Sequence, residues 1–235
     1  KMLVKQQAIV LHSFSYGDNS RIVKCYTLEN GLQSYLVNGV NNKKGVLKPS
    51  MIFPLTQLEI VAYLKGKGGL ERIKEANLIS NYALLHADPY RNAMALFIAE
   101  ILSKVTNEEQ ANSNLFVFLQ NALNNLDNPK QEIKNYHISF LADLSFYLGF
   151  RPAQSRGSSE YFDMSEGVFV KSQPDHPYYF DQDLSALLTT LLKQHDISCG
   201  KDQRLALLEG LLTYYRLQYD GFGEVKSLDV IKTLF

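Results

Sequence analysis

A change of hydrophobic period near residue 80 restricts this chain's fold more than any other feature. Before it, Leu58, Ile60, Ala62 and Leu64 alternate with Gln57, Glu59, Val61 and Tyr63, the period of two that marks a half-buried strand. That strand, read over 55–64, is one of five short runs; the others cover 7–12, 21–28, 33–38 and 70–75. Turn-forming segments separate them, among them Glu29-Asn30-Gly31 and the glycine-rich stretch at 65–69. Five such strands are the inventory of a barrel of the OB type.

Beyond residue 80, Ala93, Leu96, Phe97, Glu100, Ile101 and Lys104 recur at three and four residues, which predicts a helix starting near Asp88-Pro89. The same spacing predicts helices over 113–126, 131–148, 183–194, 202–219 and 227–234, with Asp202 as an N-cap. Between 151 and 181 lies an irregular stretch rich in Ser, Gly, Pro and Tyr, with a short hairpin at Tyr161-Phe162-Asp163 and Val168-Phe169-Val170. It reads as a lobe inserted into the helical part. The expected fold class is therefore α+β: an N-terminal five-stranded OB-type β-barrel, domain 1–80, followed by a mainly α-helical domain, 81–235, carrying that lobe.

Charge follows the same division. The net charge is zero, which by itself argues against a nucleic-acid binder. Residues 1–80, however, hold eleven Lys and Arg against five Asp and Glu, and the remainder thirteen against nineteen. A basic module and an acidic one suggest different partners for the two halves. No run reaches the roughly 18–20 apolar residues of a membrane span, and the first residues lack the apolar run of a signal peptide, so a cytoplasmic location is expected. Cys25 and Cys199 are far apart and neither sits in a CxxC pair; both read as reduced thiols, Cys25 as a small core residue.

Several strings, in order, resemble the RecO family: Ala8-Ile9-Val10-Leu11 with Tyr16-Gly17-Asp18-Asn19-Ser20, then Thr27 to Gly31, then Val37-Asn38-Gly39-Val40-Asn41-Asn42-Lys43-Lys44. The helical half continues with Glu100-Ile101-Leu102, Leu148-Gly149-Phe150-Arg151-Pro152, Tyr214-Tyr215, Gly221-Phe222-Gly223 and Lys226-Ser227-Leu228. Asp18 stands where the family more usually has Glu, and Asn38, Asn41 and Asn42 replace basic positions. The resemblance implies a recombination mediator of DNA repair, not an enzyme. Such a protein binds single- and double-stranded DNA, anneals complementary strands, engages RecR, and contacts the acidic tail of the single-stranded-DNA-binding protein so that RecA is loaded. Its location would be cytoplasmic and nucleoid-associated. Some relatives carry a four-cysteine zinc site in the lobe; residues 153–181 here contain no cysteine, so neither structural zinc nor any cofactor is expected, and Tyr161, Phe162, Phe169, Tyr178 and Tyr179 must hold the lobe.

The residues themselves nominate two surfaces. Arg21, Lys24, Lys43, Lys44, Lys48, Lys65, Lys67 and Arg72 lie on or beside the expected strands and loops, where an OB surface follows a phosphate backbone, with Phe14, Tyr16, Tyr35 and Phe53 at hand for base stacking. Arg151, Arg156 and Lys171 in the lobe are the next richest basic group. For an acidic, apolar-ended tail, Phe116, Leu119 and Leu123 on one helix face and Lys134 nearby supply a groove and a cation, although plain helix packing explains the apolar residues as well. Two other classes stay open. One is an OB-containing enzyme using Asp163, Glu166, Asp175 and His176; the other is a protein adaptor that never touches DNA. Metal-ligand spacing and nucleophile motifs are missing, which weighs against the enzyme.

Overall fold

The alternating runs at the start of the chain close into a barrel. In the computed structural model, which describes residues 2–40, 45–65, 69–106, 111–157, 160–195 and 197–235, strands β1 (Met2–Ser15), β2 (Ser20–Thr27), β3 (Gly31–Asn38), β4 (Gln57–Leu64) and β5 (Leu70–Leu78) join in the order β1-β2-β3-β5-β4 and back to β1. Every pairing is antiparallel except β3 with β5, which is parallel over Ser34 to Leu36 against Leu70 to Arg72. The fold is α+β with an OB-type barrel first. Strand β1 begins five residues earlier than its apolar run suggests, because Met2 to Ile9 pairs without a break along β4 even though Met2, Leu3 and Lys5 are exposed.

Alternation fills the interior with Ala8, Val10, Val23, Cys25, Tyr35, Val37, Leu58, Ile60 and Ala62. Burial pushes the Cys25 thiol up to about 12, so it is a packed, protonated side chain. Tyr35 brings a hydroxyl into this core, where the Gln6 Nε2 donates to it at 3.0 Å and Asn30 donates to the Gln6 Oε1 at 2.7 Å. A buried polar atom so paired avoids the cost of an unmet hydrogen bond.

The chain forms two compact units, Lys1–Gln131 and Glu132–Phe235. In the first, the barrel is packed by α1 (Pro89–Val105), capped by the Asp88 carboxylate, and α2 (Ser113–Asp127), capped by Asn112. The Phe116 ring of α2 stacks on Tyr26 of β2 with centroids 6.2 Å apart. The Asp127 carboxylate at the end of α2 accepts the backbone N–H groups of Ala83, Leu84 and Leu85 at 3.2, 2.8 and 2.7 Å, tying the barrel's exit segment to the helix.

The second unit contains α3 (Tyr136–Tyr147), a small sheet in the order β7 (Val168–Val170), β6 (Tyr161–Asp163), β8 (Tyr179–Phe180), and α4 (Gln182–Gln194), α5 (Lys201–Gln218) and α6 (Leu228–Leu234). The lobe's hairpin is present, joined by a third strand that its two residues are too short to announce. Phe162 is its centre, with the rings of Phe169, Tyr214 and Phe180 at 5.1, 5.3 and 6.1 Å; Tyr161 meets Tyr179 at 5.9 Å, whereas Tyr178 is exposed. Helix α5 can lie close to this sheet because residue 210 is glycine: a Cβ there would fall 2.0 Å from the Phe180 ring.

Four helix starts differ from the sequence reading, that of α6 only by one residue, Leu228 instead of 227. Helix α3 begins at Tyr136, not 131, and its N-cap residue Asn135 makes no side-chain capping bond, its amide donating to the Ile197 carbonyl at 2.7 Å instead. Helix α4 is capped by Asp181 and so begins one residue earlier than expected. Gly200, not Asp202, is the N-cap of α5, and its N–H is held by the Gln203 side chain at 3.2 Å; Asp202 lies in the first turn instead.

Candidate nucleic-acid interface

Because Val23, Cys25, Tyr35 and Val37 point inward, Ile22, Lys24, Ser34 and Leu36 between them face outward. Cross-strand register extends this outer face. A β-bulge between Val10 and His12 resets β1 so that His12 lies opposite Lys24 and Phe14 opposite Ile22. On β3, Ser34 lies opposite Lys24 and Leu36 opposite Ile22. Across the parallel seam, Arg72 is level with Leu36, and on β4 Tyr63 is level with Arg72. The outcome is an outward-pointing row of Phe14, Ile22, Leu36, Arg72 and Tyr63 that winds through all five strands of the closed barrel, with Ile22 itself buried, next to a second row of His12, Lys24 and Ser34.

This face combines aromatic rings with cations. His12 and Phe14 meet at 5.5 Å between centroids, and Phe14 is 37% exposed and Tyr63 38%. Lys24 is half-buried among the strands and Arg72 exposed, and among the described residues no acidic side chain is within ion-pair distance of either. Phe14 and Arg72 are three strand spacings apart, about 14 Å measured along the curved sheet. Rings that offer a π-face and cations that meet phosphates are the two components of sequence-tolerant single-strand binding.

The loops add to it unevenly. Tyr16 and Phe53 are exposed, and Phe53 meets His86 at 5.5 Å, with Tyr82 edge-on to the same imidazole at 6.1 Å. Partial burial lowers the His86 pKa, which favours an uncharged ring beside Phe53. Lys48 is exposed just before a single 3-10 turn at Pro49–Ile52. The Lys65 N–H donates to the buried Glu71 carboxylate at 2.9 Å, which fixes the start of the β4–β5 connection. Lys43, Lys44 and Lys67 lie outside the described residues.

Two expectations meet a different geometry. Arg21 shares the inward parity of Val23, and its Nη2 donates to the carbonyl and hydroxyl of Ser13 at 3.4 and 3.3 Å, so its guanidinium holds the barrel's end. Tyr35 is completely buried and offers no stacking face. His12 and Tyr63 were not singled out from sequence; the strand alternation was the signal that could have found them. In the helical half, Phe116, Leu119 and Leu123 are all within 1% of complete burial, whereas Lys134 is exposed and belongs to the second unit. The three apolar residues are therefore core of the first unit and offer no open groove to a tail.

The carboxylate and imidazole set of the lobe forms a turn. One Asp163 oxygen accepts the N–H groups of Ser165 and Glu166 at 2.9 and 3.2 Å, and the other faces the His176 Nε2 at 3.3 Å. Among the described residues, no group of three or more His, Cys, Asp or Glu is placed to hold a metal ion, and no helix is long and apolar enough to cross a membrane.

Comparison with known proteins decides what carries this surface. The profile described as "Recombination protein O N terminal" matches residues 2–82, and "Recombination protein O C terminal" matches residues 86–229. The chain belongs to the RecO family. RecO proteins named "DNA repair protein RecO" align with it end to end. That of Flavobacterium psychrophilum is 37% identical over 244 positions, and that of Christiangramia forsetii 36% identical over 239, each covering 100% of both chains. The protein of the same name from Bacteroides fragilis is 36% identical over 241 positions, again at full coverage. The RecO N-terminal match spans all five barrel strands and ends at residue 82, past the end of β5 at Leu78, and the RecO C-terminal match takes in α1 to α5 and the lobe.

Proposed function

We propose that this chain is a recombination mediator of DNA repair that binds DNA across the outer face of β1, β2, β3 and β5 and has no turnover reaction of its own. The observation that carries the reading is the juxtaposition of His12 and Phe14 with Lys24 and Arg72 across the outer side of β1, β2, β3 and β5, in a chain whose full-length relatives are named for DNA repair. Phosphates meet the two cations and bases lie on the rings, a mode without base readout. Annealing follows naturally from it, because bases stacked on a protein face keep their pairing edges free for a complementary strand.

The rest of the reading divides work between residues 1–80, which contact DNA, and residues 81–235, which engage RecR and the acidic tail of the single-stranded-DNA-binding protein so that RecA can follow. Of the residues named for the tail, Lys134 is the one that a peptide can reach without displacing packed side chains. Location on the nucleoid belongs to the same proposal. The test is a titration of fluorescent single-stranded DNA across salt concentrations using the full chain, with and without tail peptide. Binding that is insensitive to salt and to the substitutions at Phe14, Lys24 and Arg72 described in the Discussion would refute the assignment of the surface.

A further inference from the structure

A cavity of about 280 Å³ opens in the second unit between Ser155, Gly157 and Glu160, β7 and one face of α4. Among the described residues that line it, the only charged one is acidic. Glu160, 8% exposed, contributes a carboxylate whose Oε2 accepts the Ser155 hydroxyl at 2.7 Å and whose Oε1 has no hydrogen bond among the described residues. Thr189 and Thr190 donate their hydroxyl protons to the Ser185 and Ala186 carbonyls at 2.8 and 3.0 Å, and the Ser185 hydroxyl lies 3.1 Å from the Phe180 carbonyl while accepting the Phe162 N–H. Each hydroxyl has a single proton, so what these groups still offer to the cavity is lone pairs. The rest of the described lining is the Phe169 ring, the Ala186 methyl, Gly157 and the neutral Gln182 side chain at the start of α4.

An acceptor-rich wall with one buried negative charge and an aromatic face calls for a positively charged donor on a short apolar stem. An anion would meet Glu160, and a neutral ligand would leave its charge uncompensated. Asp181 and Asp183, exposed at the start of α4, add negative charge beside the cavity, while Arg156 and Lys171, the cations nearest in sequence, are not among its lining residues. The volume falls just below the range for drug-sized ligands and suits a single alkyl chain. We propose that this cavity binds a primary alkylammonium group, with Glu160 as its counter-charge and Phe169 against its stem. Such a group comes either from a free polyamine or from a lysine side chain displayed by a partner protein.

Amide NMR spectra of the full chain test this with three probes: putrescine, Nα-acetyl-lysine N-methylamide and the neutral n-butanol. Both amines should move the signals of Ala186, Thr189 and Thr190 in a saturable way, and n-butanol should not. Tighter binding of putrescine would point to a free polyamine, and tighter binding of the lysine derivative to a protein side chain. Glu160→Gln should weaken amine binding at least about tenfold, or about 1.4 kcal/mol. Ala186→Phe, at an exposed helix position, should fill the cavity and abolish binding while leaving the thermal transition in place. The proposal is overturned if neither amine shifts these signals, if n-butanol shifts them equally, or if the folded Ala186→Phe protein binds amine as the parent does.

Discussion

Replacing Phe14 by Ala and, separately, Lys24 and Arg72 together by Ala should damage DNA binding in two distinguishable ways. Phe14 lies at the rim of the outer face with 37% of its surface open, so truncation leaves the barrel core untouched. Loss of one stacking platform costs about 1–3 kcal/mol, or roughly 5- to 160-fold in affinity. A ring carries no charge, so the slope of log affinity against log salt should stay where it was. Lys24 and Arg72 are the cations of the same face, and removing a cation that neutralises one phosphate should flatten that slope by about 0.7 for single-stranded DNA, giving about 1.4 for the pair. Fluorescence anisotropy with a homopolymer and a mixed sequence, at four or more salt concentrations, measures both quantities. Circular dichroism confirms folding. The reasoning is refuted if the folded Phe14→Ala protein changes the slope, or if the double variant binds with unchanged affinity and slope. The DNA surface would then have to be sought among Arg151, Arg156 and Lys171 of the lobe.

Gly210→Ala should destabilise the second unit by about 1–3 kcal/mol, since Phe180 and Met164 are buried and cannot yield to the new methyl; urea denaturation measures it, and an unchanged midpoint would mean that the helix moves away freely. His137 is buried beside Arg204, and burial with that neighbouring charge lowers its pKa to about 3. The unfolded chain therefore takes up a proton below pH 6.5 that the folded chain refuses, so stability should fall as pH drops from about 6.5 towards 3, by up to about 1.4 kcal/mol per pH unit from this group. His137→Asn should remove that component of the slope in urea titrations at several pH values. Lys134→Glu should weaken binding of an acidic, apolar-ended peptide while sparing DNA, and equal peptide affinity in both proteins would move the tail site elsewhere.

Strands with a dry face were legible before the structure. Val23 and Cys25 on β2, and Leu58, Ile60 and Ala62 on β4, alternate because one side of each strand meets the core. The first residues of β1 were not, because Met2 to Lys5 pair through backbone groups and bury little. Helix starts were legible where a carboxylate precedes proline, as at Asp88, and lost where a glycine caps the helix or where the N-cap residue, Asn135, makes no side-chain capping bond. The basic character of the barrel was visible in residue counts, but which cation faces outward was not. The bulge at Val10 to His12 brings Phe14 level with Ile22, and parity sends Arg21 inward; both depend on register, which composition does not contain. The helix residues Phe116, Leu119 and Leu123 illustrate the opposite case, in which an apolar stripe at helical spacing was packing.

The parallel contact between β3 and β5 is the shortest ladder in the barrel, three residue pairs long, and the outer face proposed for DNA runs directly across it. A nucleic acid held by Lys24 on one side and Arg72 on the other would act as a staple over the joint. Thermodynamic reciprocity then makes barrel closure and DNA affinity a single linked equilibrium. Any partner that pries this joint apart would eject the strand without competing for a single phosphate, and any partner that clamps it shut would tighten the grip from a distance.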